Sequence, residues 1–145
     1  MRRLVPGTLL LTLVMSVAGC NDNNNPTTPT TPTTPTTPTT PATTESFTGT
    51  LQKNGGVTFP FTATAGGSVV VTLSSVAPDP TLQIGLSLGT WTGTACQIVI
   101  ANDSAAQNAV VTGTLTSAAN LCVRVYDPDS KIATAVYFSV TVAHP

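Results

Sequence analysis

The sequence predicts an all-β protein: about eight antiparallel strands in a β-sandwich of jelly-roll or Greek-key type, after a disordered N-terminal tether. Short segments in which apolar and polar residues alternate recur between residues 44 and 145, separated by Gly, Pro, Asn and Asp. Threonine, a good strand former and a poor helix former, makes up 29 of the 145 residues. Strands that alternate in this way have one buried and one solvated face, so two such sheets packed together bury a core.

The first 19 residues have the layout of an export signal. Arg2 and Arg3 precede an apolar run over residues 4–17, which is shorter than the roughly 20 residues of a membrane-spanning helix. The run ends in Val17-Ala18-Gly19-Cys20, the residue order of a bacterial lipoprotein lipobox. We therefore expect cleavage after residue 19 and a lipid on Cys20, which would anchor the chain to a membrane. The alternative is a plain secretory signal in which Cys20 is incidental.

Residues 20–43 form the predicted tether. After a polar stretch, residues 26–41 consist of a proline and five copies of Thr-Thr-Pro, a pattern that favours polyproline II over helix or sheet. At about 3.1 Å per residue these 16 residues reach on the order of 50 Å. The tract serves as a spacer or, alternatively, as an O-glycosylated stalk. Asn21, where many inner-membrane lipoproteins carry aspartate, favours the outer membrane, with the domain periplasmic or surface-exposed.

The first half of the domain, residues 44–145, contains four predicted strands, at 46–52, 57–64, 68–75 and 81–88. Asn54 and Gly55 tolerate the positive φ of a hairpin turn and end the first strand. Pro60 occupies an outward position and removes one ladder donor, which indicates an edge strand. A turn region containing Trp91 is predicted over residues 89–94.

The second half contains four further predicted strands, at 96–101, 108–116, 121–127 and 135–143. Cys96 and Cys122 are an even pair once Cys20 is set aside, and outside the cytoplasm such a pair favours a disulfide. Cys122 alternates out of phase with its apolar neighbours, so both cysteines can face the core only if a bulge or a strand end intervenes. We expect a bridge near a sandwich edge that clamps segment 96–101 to strand 121–127.

Charged residues are too few to indicate a catalytic or nucleic-acid site. Residues 42–145 carry three basic and five acidic side chains, 3 − 5 = −2, without a basic patch, so no nucleic-acid partner is expected. Asp127 and Asp129 could contribute oxygen ligands to Ca²⁺, or lie in a solvated turn. His144, the one histidine, is expected to be frayed and solvated near the C-terminus. No catalytic residue and no cofactor other than calcium is predicted.

Three aromatic residues, Trp91, Tyr126 and Tyr137, are candidates for stacking on a ligand. The two tyrosines alternate opposite to the aliphatic residues of their strands, which predicts partial exposure. Stacking on a sugar or a peptide would use one of these rings, and ordinary packing is the alternative.

Three segments of the domain share a pattern of strand spacing and turns: Phe59-Pro60-Phe61 with the strand that ends at Leu73, residues 119–127, and residues 137–142. In this pattern the domain resembles the bacterial pre-peptidase C-terminal (PPC) domain. The resemblance covers most of residues 46–143. It implies a small jelly-roll-like sandwich outside the cytoplasm, of a kind usually appended to secreted proteases and implicated in substrate or matrix binding, in some cases with calcium.

The resulting functional hypothesis is a lipid-anchored, non-catalytic binding or accessory module of the bacterial cell envelope. Its partners would be the membrane, through the lipid, and a ligand that is a polysaccharide, peptidoglycan or a protein. A structural envelope protein and, less favoured, a small hydrolase are the alternatives.

Overall fold

The computed structural model describes residues 43–145, and eight strands account for most of these residues. The strands are β1 (Thr43–Leu51), β2 (Gly56–Ala63), β3 (Gly67–Ala77), β4 (Ile84–Trp91), β5 (Cys96–Ala105), β6 (Val110–Leu115), β7 (Ala119–Tyr126) and β8 (Val136–His144). The predicted leader, Cys20 and the Thr/Pro tract lie outside the described residues. No helix between residues 43 and 145 is long and apolar enough to cross a membrane.

The strands form two four-stranded sheets in jelly-roll order. The first sheet has the order β1-β8-β3-β6 and the second β2-β7-β4-β5, and every pairing is antiparallel. Between residues 43 and 145, β4 and β5 are the only consecutive strands that share a sheet, and every other connection crosses to the opposite sheet. This alternation is the double Greek key of a jelly roll, so the predicted fold class is confirmed.

The core lies between the two sheets and is mainly aliphatic. Its fully buried members come from strands of both sheets and include Leu51, Val69, Val71, Leu73, Ile84, Leu86, Val123, Val125, Val140 and Val142. An aromatic cluster closes one side: the rings of Phe47 and Phe59 stack with centroids 5.0 Å apart, and Phe138 meets Phe59 edge-on at 6.1 Å. Alternating apolar residues thus form the core that the sequence pattern predicts.

Strand β4 begins and ends about three residues later than predicted. The carboxylate of Asp79 accepts hydrogen bonds from the hydroxyl and the backbone N–H of Thr81, and these two bonds lower the pKa of Asp79. This local turn competes with the strand ladder, so the strand starts at Ile84 despite the alternation from residue 81. At the other end Trp91 belongs to β4, and the turn follows at Thr92, whose N–H bonds the carbonyl of Ala95.

Two further predictions about the connections have different outcomes. Pro60 lies on β2, an edge strand of the second sheet, as predicted. Asn54 has a positive φ of 55°, which confirms a turn, but the predicted hairpin is wrong because β1 and β2 belong to different sheets. The sequence identified the turn chemistry correctly and could not identify which sheet the next strand joins.

Candidate binding surfaces

The disulfide between Cys96 and Cys122 is present, and its two cysteines face away from the core rather than into it. Cys122 pairs with Gly89 on β4, while Cys96 pairs with Trp91, so the bridge connects the two strands that flank β4. A register shift at Val99 reverses the alternation of β5, and both cysteines lie on the outer face of the second sheet. The prediction of an edge clamp between β5 and β7 is confirmed.

The bridge also shows that β5 curls over the second sheet. Strands that flank a third strand in a flat sheet lie about 9.5 Å apart, twice the usual spacing, whereas the Cα atoms of Cys96 and Cys122 are 5.8 Å apart. A Cβ on Gly89 would lie only 2.1 Å from the carbonyl oxygen of Gln97, so the two backbones approach as closely as glycine permits. Cys122 is consequently buried although it faces away from the core.

Curling of β5 leaves an apolar edge uncovered. The side chains of Ile98, Val99 and Ile100 are 43%, 69% and 38% exposed, three consecutive aliphatic residues on an edge strand. The edge of the first sheet beside it is β6, where Val110 is also half exposed. Natural proteins usually protect such edges with charges or proline, and the segment from Cys96 to Asn102 contains neither.

A cleft opens between β5 and β6 behind this edge. It has a volume of about 140 Å³, and its walls are almost entirely apolar. Leu88, Leu121 and Val69 form the part nearest the core, and Val99 and Ile100 form one lip. We call the three exposed residues of β5 together with this cleft the β5–β6 edge. In a regular strand Ile98 and Ile100 would share one face, so the sequence pattern alone does not reveal this surface. The bulge that puts them on opposite faces gives no recognisable sequence signal.

Tyr137 borders a second depression, on the outer face of the first sheet. The ring is 63% exposed, and the depression beside it has a volume of about 330 Å³. Hydroxyl-bearing residues of three strands line it, namely Thr48, Thr50, Ser75 and Ser139. We call this depression the Tyr137 groove. The predicted exposure of Tyr137 is confirmed; its role in stacking stays a prediction.

Tyr126 and Trp91 lie elsewhere. The ring of Tyr126 covers Gly85 on the outer face of the second sheet, where a Cβ would lie 2.5 Å from the ring, and its hydroxyl donates to Asp103 on β5. Partial burial, and then the hydrogen bond to the carboxylate, raise the pKa of Tyr126 to about 12. Trp91 lies at the far end of β4, paired with Cys96. The three candidate aromatics are therefore not brought together into one platform.

The carboxylate of Asp127 is engaged by the backbone of two loops. It accepts hydrogen bonds from the N–H groups of Asn54 at 3.1 Å, Lys131 at 3.0 Å and Ile132 at 3.4 Å. Asp129 instead pairs with the ammonium group of Lys131 at 2.6 Å on the exposed surface. Among the described residues no three His, Cys, Asp or Glu side chains are grouped as a metal site would require. Calcium binding by Asp127 and Asp129 stays a prediction, and the geometry gives both carboxylates other partners.

His144 is not frayed, contrary to the expectation for a penultimate residue. It continues β8 opposite Thr43 and is 3% exposed, and its Nε2 lies 2.9 Å from a carboxylate oxygen of Glu45. Its ring also packs against Phe61 at 5.2 Å between centroids. The hydrogen bond from Thr64 N–H to the carbonyl of Pro145 fixes the last residue as well. Pairing of the terminal strand in the sheet overrides the usual disorder of a chain end.

Comparison with known proteins identifies solved structures with a similar fold. No protein-family model matches the chain, and no curated protein matches it in sequence. Among solved structures, the Yersinia pseudotuberculosis-derived mitogen YPM is similar over 72% of this chain and 87% of its own, with 18% identity and a TM-score of 0.51. Aeromonas hydrophila PliG, a periplasmic lysozyme inhibitor of g-type lysozyme, matches over 69% and 84%, with 16% identity and a TM-score of 0.48. At 18% identity the likeness to YPM is one of fold.

Proposed function

We propose that this chain is a non-catalytic binding module of the bacterial cell envelope, held at a membrane by a lipid on Cys20, that binds a protein ligand at the β5–β6 edge. The observation that carries the proposal is the exposed, uncharged run Ile98-Val99-Ile100 beside an apolar cleft. Contiguous exposed apolar surface of this kind marks interaction sites on soluble domains. The resemblance to PPC domains stays part of the proposal, and the jelly-roll sandwich is compatible with it.

The chemistry of the edge favours an extended, uncharged segment of the ligand. None of the strands of residues 43–145 pairs with β5 on the side away from β4, so a strand of the ligand could add there through main-chain hydrogen bonds. The cleft would then take an apolar side chain of that strand, because its walls offer almost no polar partner. A charged residue in the same position would lose its hydration without compensation.

Two different observations support the proposed location of the module. The disulfide is typical of proteins that fold outside the cytoplasm. The lipobox residues before Cys20, and Asn21 after it, support a lipid anchor at the outer membrane. A binding role needs no catalytic group, and we assign none.

Photo-crosslinking in the native cell tests the proposed ligand site. A photoreactive amino acid replaces Gln97, an exposed neighbour of the edge, in the full-length chain; the control places it at Ser46 on the exposed face of β1. We expect a discrete adduct with another envelope protein from position 97 only. Val99→Lys should weaken ligand capture about tenfold, because the variant loses the roughly 1.5 kcal/mol of binding free energy that burial of the valine side chain against the ligand contributes. The same variant should change the free energy of unfolding by less than about 0.5 kcal/mol.

Three outcomes would contradict the proposal. They are no adduct at position 97, the same adduct at Ser46, and an adduct that Val99→Lys leaves unchanged. An adduct of twice the mass of the chain would show that the edge binds a second copy rather than a different protein.

A further inference from the structure

The outer face of the first sheet carries no charged side chain. Its outward positions are alternate residues of four strands. They run from Thr44 to Thr50 on β1, from Tyr137 to Ala143 on β8, from Ser68 to Thr72 and then Ser75 and Ala77 on β3, and from Val110 to Thr114 on β6. Most of these residues are Ser or Thr. Each hydroxyl can both donate and accept a hydrogen bond, so the face can bond to another hydroxyl-rich surface in either sense.

The Tyr137 groove adds a specific recess to this face. Tyr137 lies between Thr50 on β1 and Ala77 on β3, and two residues further along, Ser139 lies between Thr48 and Ser75. The exposed ring therefore stands at one end of a row of hydroxyls from three adjacent strands. The groove volume of about 330 Å³ lies at the lower end of the roughly 300–1,000 Å³ typical of small-molecule sites.

The hydroxyls in the groove are available to a ligand. Further along the same face, Ser74 and Thr141 bond to each other at 2.6 Å. Among the side-chain hydrogen bonds of residues 43–145, none engages the hydroxyls of the four residues that line the groove. The exposed ring adds an apolar surface with a partial negative charge on its faces.

We propose that the Tyr137 groove binds a neutral polysaccharide. The C–H face of a pyranose ring is apolar and slightly positive, so it would stack on the ring of Tyr137, while the sugar hydroxyls would bond to Thr48 and Ser139. The absence of charge on the face matches a ligand without charge. The hydroxyl rows continue past the groove towards Thr141, which suits an extended chain of sugar units rather than a single sugar.

This site is independent of the β5–β6 edge. The groove lies on the outer face of β1, β8 and β3, whereas the edge is formed by β5, β6 and the side of the sandwich between them. The two share no lining residue. A module with both surfaces could hold a protein at its edge while its face rests on a neutral glycan of the envelope.

Sedimentation with insoluble polysaccharides tests the site. The full chain, purified in detergent, is mixed with cellulose or chitin as neutral probes and with calcium alginate gel as a charged probe. We expect retention on at least one neutral probe and none on alginate. Tyr137→Ala should weaken that retention about tenfold, while Tyr137→Phe should retain it, because stacking needs the ring and not the hydroxyl. Ser139→Ala and Thr48→Val should each weaken it several-fold.

Two controls separate this site from the protein-binding edge and from loss of fold. Val99→Lys should bind the polysaccharide like the unmodified chain, and Tyr137→Ala should retain its thermal unfolding temperature because the ring is largely exposed. The proposal is overturned if neither neutral probe retains the chain, if alginate retains it equally, or if Tyr137→Ala binds as well as the parent. Weakened retention by Val99→Lys would assign the binding to the edge instead.

Discussion

Three outward positions of β4 hold small residues, Gly85, Ser87 and Gly89, and each faces a larger residue of β7. Tyr126 lies over Gly85, and Cys122 reaches past Gly89 to Cys96. Ser87 is fully buried and donates to the carbonyl of Arg124 at 3.2 Å. The small residues leave room for side chains of β7 to cross β4 and attach to β5. The small size of these three residues therefore permits the contacts that attach the edge strand β5 to β7.

Tyr126 should make stability depend on pH in the alkaline range. Its pKa in the folded chain is raised to about 12, from an ordinary value near 10, by partial burial and by the hydrogen bond to Asp103. Between these two values the unfolded chain loses the phenolic proton while the folded chain keeps it. The contribution is thus complete below about pH 10 and is lost as the pH rises towards 12.

Urea unfolding across this pH range measures the effect. The free energy of unfolding of the parent should fall as the pH rises from 10 towards 12, and Tyr126→Phe should show a shallower fall because it has no phenolic proton to lose. Tyr137→Phe, which leaves the Tyr126–Asp103 hydrogen bond intact, is the matched control and should behave like the parent. Equal slopes for the parent and Tyr126→Phe would contradict the assignment.

At the scale of single strands, β5 shows where sequence reasoning stops. Alternation predicted its existence and the cysteine count predicted its bridge, because both depend on residue type and spacing. The extra residue at Val99 depends on how β5 packs against β4 and on the close approach at Gly89, and no local preference records it. The same limit explains β4: Asp79 and Thr81 form a turn within an alternating pattern, so local hydrogen bonds override the period.

For the candidate site too, features set within one strand were predictable, and features that depend on several strands were not. Exposure of Tyr137 was predictable, because its position opposite the aliphatic residues of one strand is sufficient to place it on the surface. The groove beside it was not, since Thr48 and Ser75 come from strands distant in sequence. Likewise His144 is buried because β1, whose Glu45 meets it, pairs with β8, and this pairing is a property of the topology.

Two neighbouring carboxylates in the loop after β7, Asp127 and Asp129, should contribute differently to the free energy of unfolding. Asp127→Ala should lower the free energy of unfolding by about 1–3 kcal/mol, because three backbone N–H groups lose their acceptor. Asp129→Ala should change it by less than about 0.5 kcal/mol, since its exposed pair with Lys131 contributes little. Thermal unfolding with calcium and with chelator gives both comparisons. An equal loss for the two variants, seen in calcium alone, would instead support the predicted calcium site.

At the scale of the molecule, the jelly roll separates the beginning of β1 from the Tyr137 groove. Thr43, the first residue of β1, pairs with His144, while Thr50 pairs with Tyr137 at the other end of the same two strands. Seven residues of extended strand span about 23 Å. The segment that precedes Thr43 thus enters β1 at the end of the strand away from the groove.

The proposed attachment of the module to a membrane depends on the predicted lipid anchor on Cys20. In cells that express the full-length chain, the parent should sediment with membranes, and Cys20→Ala should be recovered as soluble or uncleaved precursor. Each buried CH₂ of an acyl chain contributes about 0.8 kcal/mol to membrane binding, so loss of the lipid removes the main attachment. The double variant Cys96→Ala/Cys122→Ala, which removes the other two cysteines, should stay membrane-bound if it folds.

Mass spectrometry of the purified parent distinguishes the anchor from a plain secretory signal. A lipidated chain begins at Cys20 and is heavier than residues 20–145 alone by the mass of its acyl groups. If the leader is an ordinary signal, the mature chain has the unmodified mass, and Cys20→Ala partitions like the parent. In that case the Thr/Pro tract tethers nothing, and the two binding surfaces would act in a freely diffusing protein rather than at a membrane.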